Sequence, residues 1–135
     1  MLKNLIICCV LLFSTSNLMA QNETTKKYKL VVQFGSFAEG VPGEEPLIAY
    51  IDRFKTEHNI KCFCVDRIGP LGREGEYNLA FMLTELNKKQ TAAFIQGVKK
   101  VAATMTERGQ ATVVTDHVMN REEIPARATI VSTHL

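Results

Sequence analysis

The chain has 135 residues, 46% of them hydrophobic, no tryptophan, and a formal charge of +2 at neutral pH. That size suits a single domain with a modest core. No basic or acidic block interrupts the sequence, so it lacks the basic patch that captures nucleic acid, and no nucleic-acid partner is expected.

The N-terminus reads as a targeting segment. Met1-Leu2-Lys3-Asn4 is short and positive, Leu5 to Phe13 is an apolar run, and Ser14 to Ala20 is more polar with a small last residue. That order is a secretory signal peptide, residues 1–20, with cleavage after Ala20. The run is shorter than the ~20 apolar residues that span a bilayer. A lipid anchor on Cys8 or Cys9 fits less well, because both lie inside the run. Secretion or periplasmic localisation is the expectation, with no membrane association once the segment is removed.

Gln21 to Lys27 is polar and reads as a flexible leader. Tyr28, Leu30, Val32 and Phe34 alternate with Lys29, Val31 and Gln33, the period of a half-buried strand. Gly35 closes it, and Gly40, Pro42 and Gly43 mark a loop. A helix starts at Pro46, where a missing amide proton costs nothing. Glu44 and Glu45 favour its positive end, and Leu47, Tyr50, Ile51 and Phe54 form its apolar stripe. Asn59 suits a left-handed cap. Ile60 to Ile68 reads as a second strand, Gly69 to Gly75 as a loose turn, and Glu76 to Leu83 as a third strand. Asn87 and Gln90 form a capping-box pattern at the start of a second helix. That helix carries Phe94, Val98, Val101, Ala102 and Met105 on one stripe. Gly97 within it suggests close packing against a strand. Ala111 to Met119 reads as a fourth strand, and residues 120–135 as a C-terminal tail with a short edge strand near 128–133.

The order β-α-β-β-α-β predicts an α+β, ferredoxin-like split sandwich over residues 28–119, one antiparallel sheet with two helices on one face. The first and third strands are central and the second and fourth lie at the edges. The other sheet face is left open. Val31, Phe63 or Cys64, Ala80 and Met82 do not all fit one covered face, which makes the open face a surface for a partner or for homo-oligomer formation.

Four cysteines become two after cleavage, Cys62 and Cys64. In a strand, residues i and i+2 share a face with Cα atoms about 6.5 Å apart, poor geometry for a disulfide. Two adjacent thiols suit a soft metal. The candidate metal set is Cys62, Cys64 and His58, with copper or zinc as the ion, against the alternative of two small apolar residues packed in a core. A thioredoxin-like redox motif would be Cys-x-x-Cys at a helix start. Asp116 and His117 are neighbours on a strand and point to opposite faces, so they do not form an acid–base pair. The Gly69–Gly75 turn lacks the lysine and helix of a phosphate loop. Tyr77 and Phe81 are expected beneath the helices rather than as a stacking surface for bases. No catalytic residue and no cofactor is assigned.

Val31-Val32-Gln33-Phe34-Gly35-Ser36-Phe37 resembles the first-strand motif of the SPOR family, exported peptidoglycan-binding domains of the same split-sandwich fold. The resemblance implies cell-wall glycan binding as an alternative. The third strand departs from that family, which has a hydrophobic-arginine-hydrophobic pattern ending in Gly-Pro. Here the strand is Tyr77-Asn78-Leu79-Ala80-Phe81-Met82, and Gly69-Pro70 precedes it. The family's functional residues are therefore not transferred. The reading as a whole is an exported, non-enzymatic binding module, with a soft-metal or redox protein using Cys62 and Cys64, and a glycan binder, as alternatives.

Overall fold

Five extended segments build one antiparallel sheet. In the computed structural model, which describes residues 25–135, these are β1 (Thr25–Ser36), β2 (Cys64–Gly69), β3 (Tyr77–Phe81), β4 (Gly109–Asn120) and β5 (Thr129–His134). Two helices, α1 (Glu45–His58) and α2 (Lys88–Ala102), pack on one face. The signal-peptide reading and most of the leader lie outside the described residues. The sheet order is β4-β1-β3-β2-β5, and every neighbouring pair is antiparallel. The fold is α+β and consistent with the ferredoxin-like split sandwich, with one strand more than the minimal six-element unit.

Several boundaries differ from the sequence reading. β1 begins at Thr25, inside the expected leader, because β4 pairs with it as far as Asn120. β2 begins at Cys64, not Ile60. The expected edge strand of the tail is β5, and it lies outside β2, so β2 is interior and only β4 and β5 are edges.

The helices are set by local signals. Asn87 accepts from the Gln90 amide at 2.9 Å while Gln90 Oε1 accepts from the Asn87 amide at 3.1 Å, a complete capping box. Asn59 caps α1 in the left-handed region at φ 55°. Leu47, Ile51 and Phe54 of α1 meet Phe94 and Val98 of α2 over Leu30, Val32, Phe34, Phe63, Val65, Leu79 and Phe81 of the sheet. Gly97 packs against α1, not against a strand. A Cβ there would lie 1.9 Å from the Tyr50 hydroxyl, which donates to the Phe94 carbonyl at 3.2 Å.

The face away from the helices is not open. Tyr28 leaves the helix-side row of Leu30, Val32 and Phe34 and packs instead with Val31, Ile68, Ala80 and Met119. The cause is a break in the ladder. β1 and β4 pair on both sides of Lys29 and Asp116 but not at that step, and Asp116 takes φ 51°. The alternation reverses there, and the far end of the β1–β4 ribbon turns over the sheet. Lys26 and Tyr28 reach across to Asp66 of β2, at 2.9 and 2.7 Å. Residues 121–128 then connect β4 to β5, and Ile124 closes onto the same cluster. Val31 and Ala80, expected on an adhesive open face, are fully buried there, and Phe63 lies in the helix-side core. Met82 remains exposed.

Candidate functional site

β5 extends the sheet beyond the helices and so creates a groove on the helix side. Arg67 of β2 pairs with Val131 of β5, and Gly69 with Thr129, so their side chains share this face. Together with Pro70, Gly75 and Tyr77 they line a cavity of about 350 Å³. Its floor is stacked. Phe34 and Tyr77 lie nearly parallel with centroids 4.4 Å apart, and the Arg67 guanidinium sits 3.7 Å above the outer Tyr77 face. Arg67 also donates to Glu44 Oε1 at 2.6 Å. Glu44 thus leaves the α1 amides uncapped by its side chain and holds the arginine instead. A planar guanidinium suits both contacts at once.

The ionisable groups of the groove are fixed in one state near neutral pH. Burial, reinforced by the Glu44 carboxylate, pushes the Tyr77 hydroxyl up, so it stays protonated. The Glu44 carboxylate outweighs desolvation and holds Arg67 in its charged form. The groove offers shape, an aromatic floor, a guanidinium and an apolar contact at Val131, which is 55% exposed.

The residues singled out for metal binding are not gathered as a set. Cys62 and Cys64 are both free thiols, Cys62 partly buried and Cys64 exposed. Cys64 shares the sheet face of Asp66 and Ile68, away from the helices. His58 lies at the end of α1, its ring tilted against Phe54 with centroids 4.1 Å apart. The sheet therefore stands between His58 and Cys64. The imidazole that does approach Cys64 is His134 of β5, its Nδ1 3.7 Å from the sulfur. Desolvation and the Glu85 carboxylate, which accepts from the Cys64 amide at 2.9 Å, push that thiol up. Among the described residues no three His, Cys, Asp or Glu side chains are grouped to hold a metal ion.

Asp116 pairs with Lys29, while His117 lines a separate cavity of about 150 Å³ with Met119, Glu123 and Ile124. Sequence reading missed His134, Arg67 and Asp66. His134 is revealed by the pairing of β2 with β5, Asp66 also by Tyr28 and Lys26 of β1, and Arg67 by Tyr77 and Glu44. The signal for β5 was the Thr-Ile-Val run after Ala128.

No protein-family model, no curated protein and no solved structure matches this chain. The SPOR resemblance rests on seven residues, Val31–Ser36 at the end of β1 and Phe37 just beyond it.

Proposed function

We propose that this chain is an exported, non-enzymatic binding module that takes an extended peptide segment along β5. One observation carries the reading: β5 is an edge strand of six residues with a groove of about 350 Å³ beside it. An added strand gains main-chain hydrogen bonds from a free edge, and alternate side chains supply specificity where they meet pockets. Alternate residues of such a segment face Val131 and Thr129 and enter the groove over Arg67 and Tyr77. The fixed protonation of Tyr77 and the pairing of Arg67 with Glu44 favour recognition over proton transfer. The order of charge, apolar run and small residue in 1–20 supports export.

The glycan alternative draws less support. Of the seven residues that resemble the SPOR motif, Val31, Val32 and Phe34 are fully buried in the two cores and only Phe37 is strongly exposed.

The test is selection from a phage-displayed library of linear dodecapeptides. Enriched peptides should shift the backbone amide signals of Thr129–His134 and bind Val131→Lys and Arg67→Ala at least tenfold more weakly. Equal binding by Val131→Lys, or a library that yields nothing above a control surface, would sink the reading.

A further inference from the structure

The ladder between β2 and β5 has three rungs on the face away from the helices: Ile68 with Ile130, Asp66 with Ser132, and Cys64 with His134. The first two are satisfied within the chain. Ile68 and Ile130 belong to the apolar cluster, and Ser132 Oγ donates to Asp66 Oδ1 at 2.5 Å. The third rung is a soft donor facing a nitrogen donor at 3.7 Å, with both side chains exposed. Its geometry follows from the next pair. Phe63 and Leu135 exchange both amide hydrogen bonds, at 2.9 and 3.1 Å. Cys64 and His134 are therefore a non-hydrogen-bonded pair, the kind whose side chains stand closest.

We propose that Cys64 Sγ and His134 Nδ1 form a binding site for a soft monovalent metal ion of the copper(I) class. Thiolate selects soft ions, and imidazole is a good second donor for copper. With bonds of the length zinc makes, about 2.3 Å to sulfur and about 2.0 Å to nitrogen, as a guide, the donors span roughly 4.3 Å when the ion lies on a straight line between them. The observed 3.7 Å accepts a bent bridge as it stands and a linear one after a small side-chain rotation. Zinc prefers four tetrahedral ligands, which this rung does not supply. An ion satisfied by two donors fits it.

Loading is a simple exchange. The Cys64 S–H bond breaks, the sulfur binds the ion, and the proton leaves to solvent. The His134 Nδ1 lone pair completes the site, and no group is oxidised or reduced. Cys62 lies beyond the last paired rung and His58 on the other side of the sheet, so neither belongs to the site. This inference is independent of peptide binding in the groove, which lies on the opposite face of β5.

The full chain carrying Cys8→Ser and Cys9→Ser is titrated anaerobically with copper(I) against a chromophoric copper(I) chelator, with native mass spectrometry for stoichiometry. We expect one ion per chain, an affinity at least tenfold lower in Cys64→Ser and in His134→Gln, and changes under threefold in Cys62→Ser and His58→Gln. In the unsubstituted site, the Nδ1 nitrogen resonance of His134 should move on loading, a readout that survives if a variant fails to fold. Unchanged affinity in His134→Gln, equal loss in Cys62→Ser, an unmoved His134 resonance, or an ion held only between two chains would each overturn the proposal.

Discussion

The Tyr28 hydroxyl donates to Asp66 Oδ2 at 2.7 Å, across the full width of β3. Ala80 lies in the same row between β1 and β2 and is small enough to leave the path clear. Lys26 and Ser132 complete the shell, so one carboxylate ties β1, β2 and β5 together. Burial raises the Asp66 carboxyl, but donors from Ser132, Tyr28 and Lys26 outweigh it and hold the group below its ordinary value. Asp66→Ala should cost about 2–4 kcal/mol, and Tyr28→Phe about 1 kcal/mol, by urea unfolding at pH 7. A lowered folded-state value contributes stability above the unfolded value of 3.8. That stability is lost as pH falls through the folded value. The gap between wild type and Asp66→Asn should therefore narrow as the pH drops below 4, and a gap that widens there contradicts the network.

Gly109 is where the β1–β4 pairing depends on close backbone approach. A Cβ there would sit 1.9 Å from the Gly35 carbonyl oxygen, and backbone cannot swing aside as a side-chain tip does. Gly109→Ala should lower stability by about 1–3 kcal/mol through forced strand separation. Gly75 is the control. It holds φ +87° in open space, so Gly75→Ala should cost only the backbone strain, about 1 kcal/mol. Equal denaturation midpoints for Gly109→Ala and wild type would show that the ladder relaxes freely.

The helix pair gives a coupled prediction. Alanine for Gly97 gains about 1 kcal/mol of helix propensity, but displaces the Tyr50 ring from its place on α2. Gly97→Ala alone should yield less than that gain. Combined with Tyr50→Ala, the double-mutant cycle should show coupling of about 1 kcal/mol in thermal or urea unfolding. Additive effects would mean that the ring moves away without loss.

The raised Cys64 thiol has a kinetic consequence. Alkylation by iodoacetamide proceeds through the thiolate, so its pH midpoint at Cys64 should lie above the ordinary value of 9.0. Glu85→Gln should lower that midpoint, because it removes the neighbouring negative charge. Peptide mapping separates Cys64 from Cys62. A midpoint unmoved by Glu85→Gln contradicts the assigned cause.

These properties were unevenly visible in the sequence. Asn87–Gln90 and Asn59 act locally, and both caps form as their residue types require. The apolar stripes of α1 and α2 and the alternation of β1, β3 and β4 predict the split-sandwich order for the same reason. What stayed hidden depends on partners far along the chain. Tyr28 reads as part of the Leu30–Phe34 row until the break at Lys29 and Asp116 turns it over. His58 is near Cys64 in sequence, whereas His134 is 70 residues away and is delivered by strand register. Arg67 reads as a solvated strand residue until Tyr77 comes under it.

The turn of the β1–β4 ribbon also sets a mechanical limit. Four strand spacings of about 4.8 Å separate β4 from β5 in a flat sheet. β4 ends beside Thr25, and β5 starts beside Gly69 at the opposite corner. On a flat sheet that diagonal is roughly 35 Å, with about 3.4 Å per residue along the strands. The nine steps from Asn120 to Thr129 reach at most about 32 Å even when fully extended. The ribbon must therefore curl before β5 can dock at all. The curl is deep enough that the connection is not drawn taut: it spends Arg121–Glu123 on a 3-10 turn, and the Ala128 amide donates to the Pro125 carbonyl at 2.8 Å.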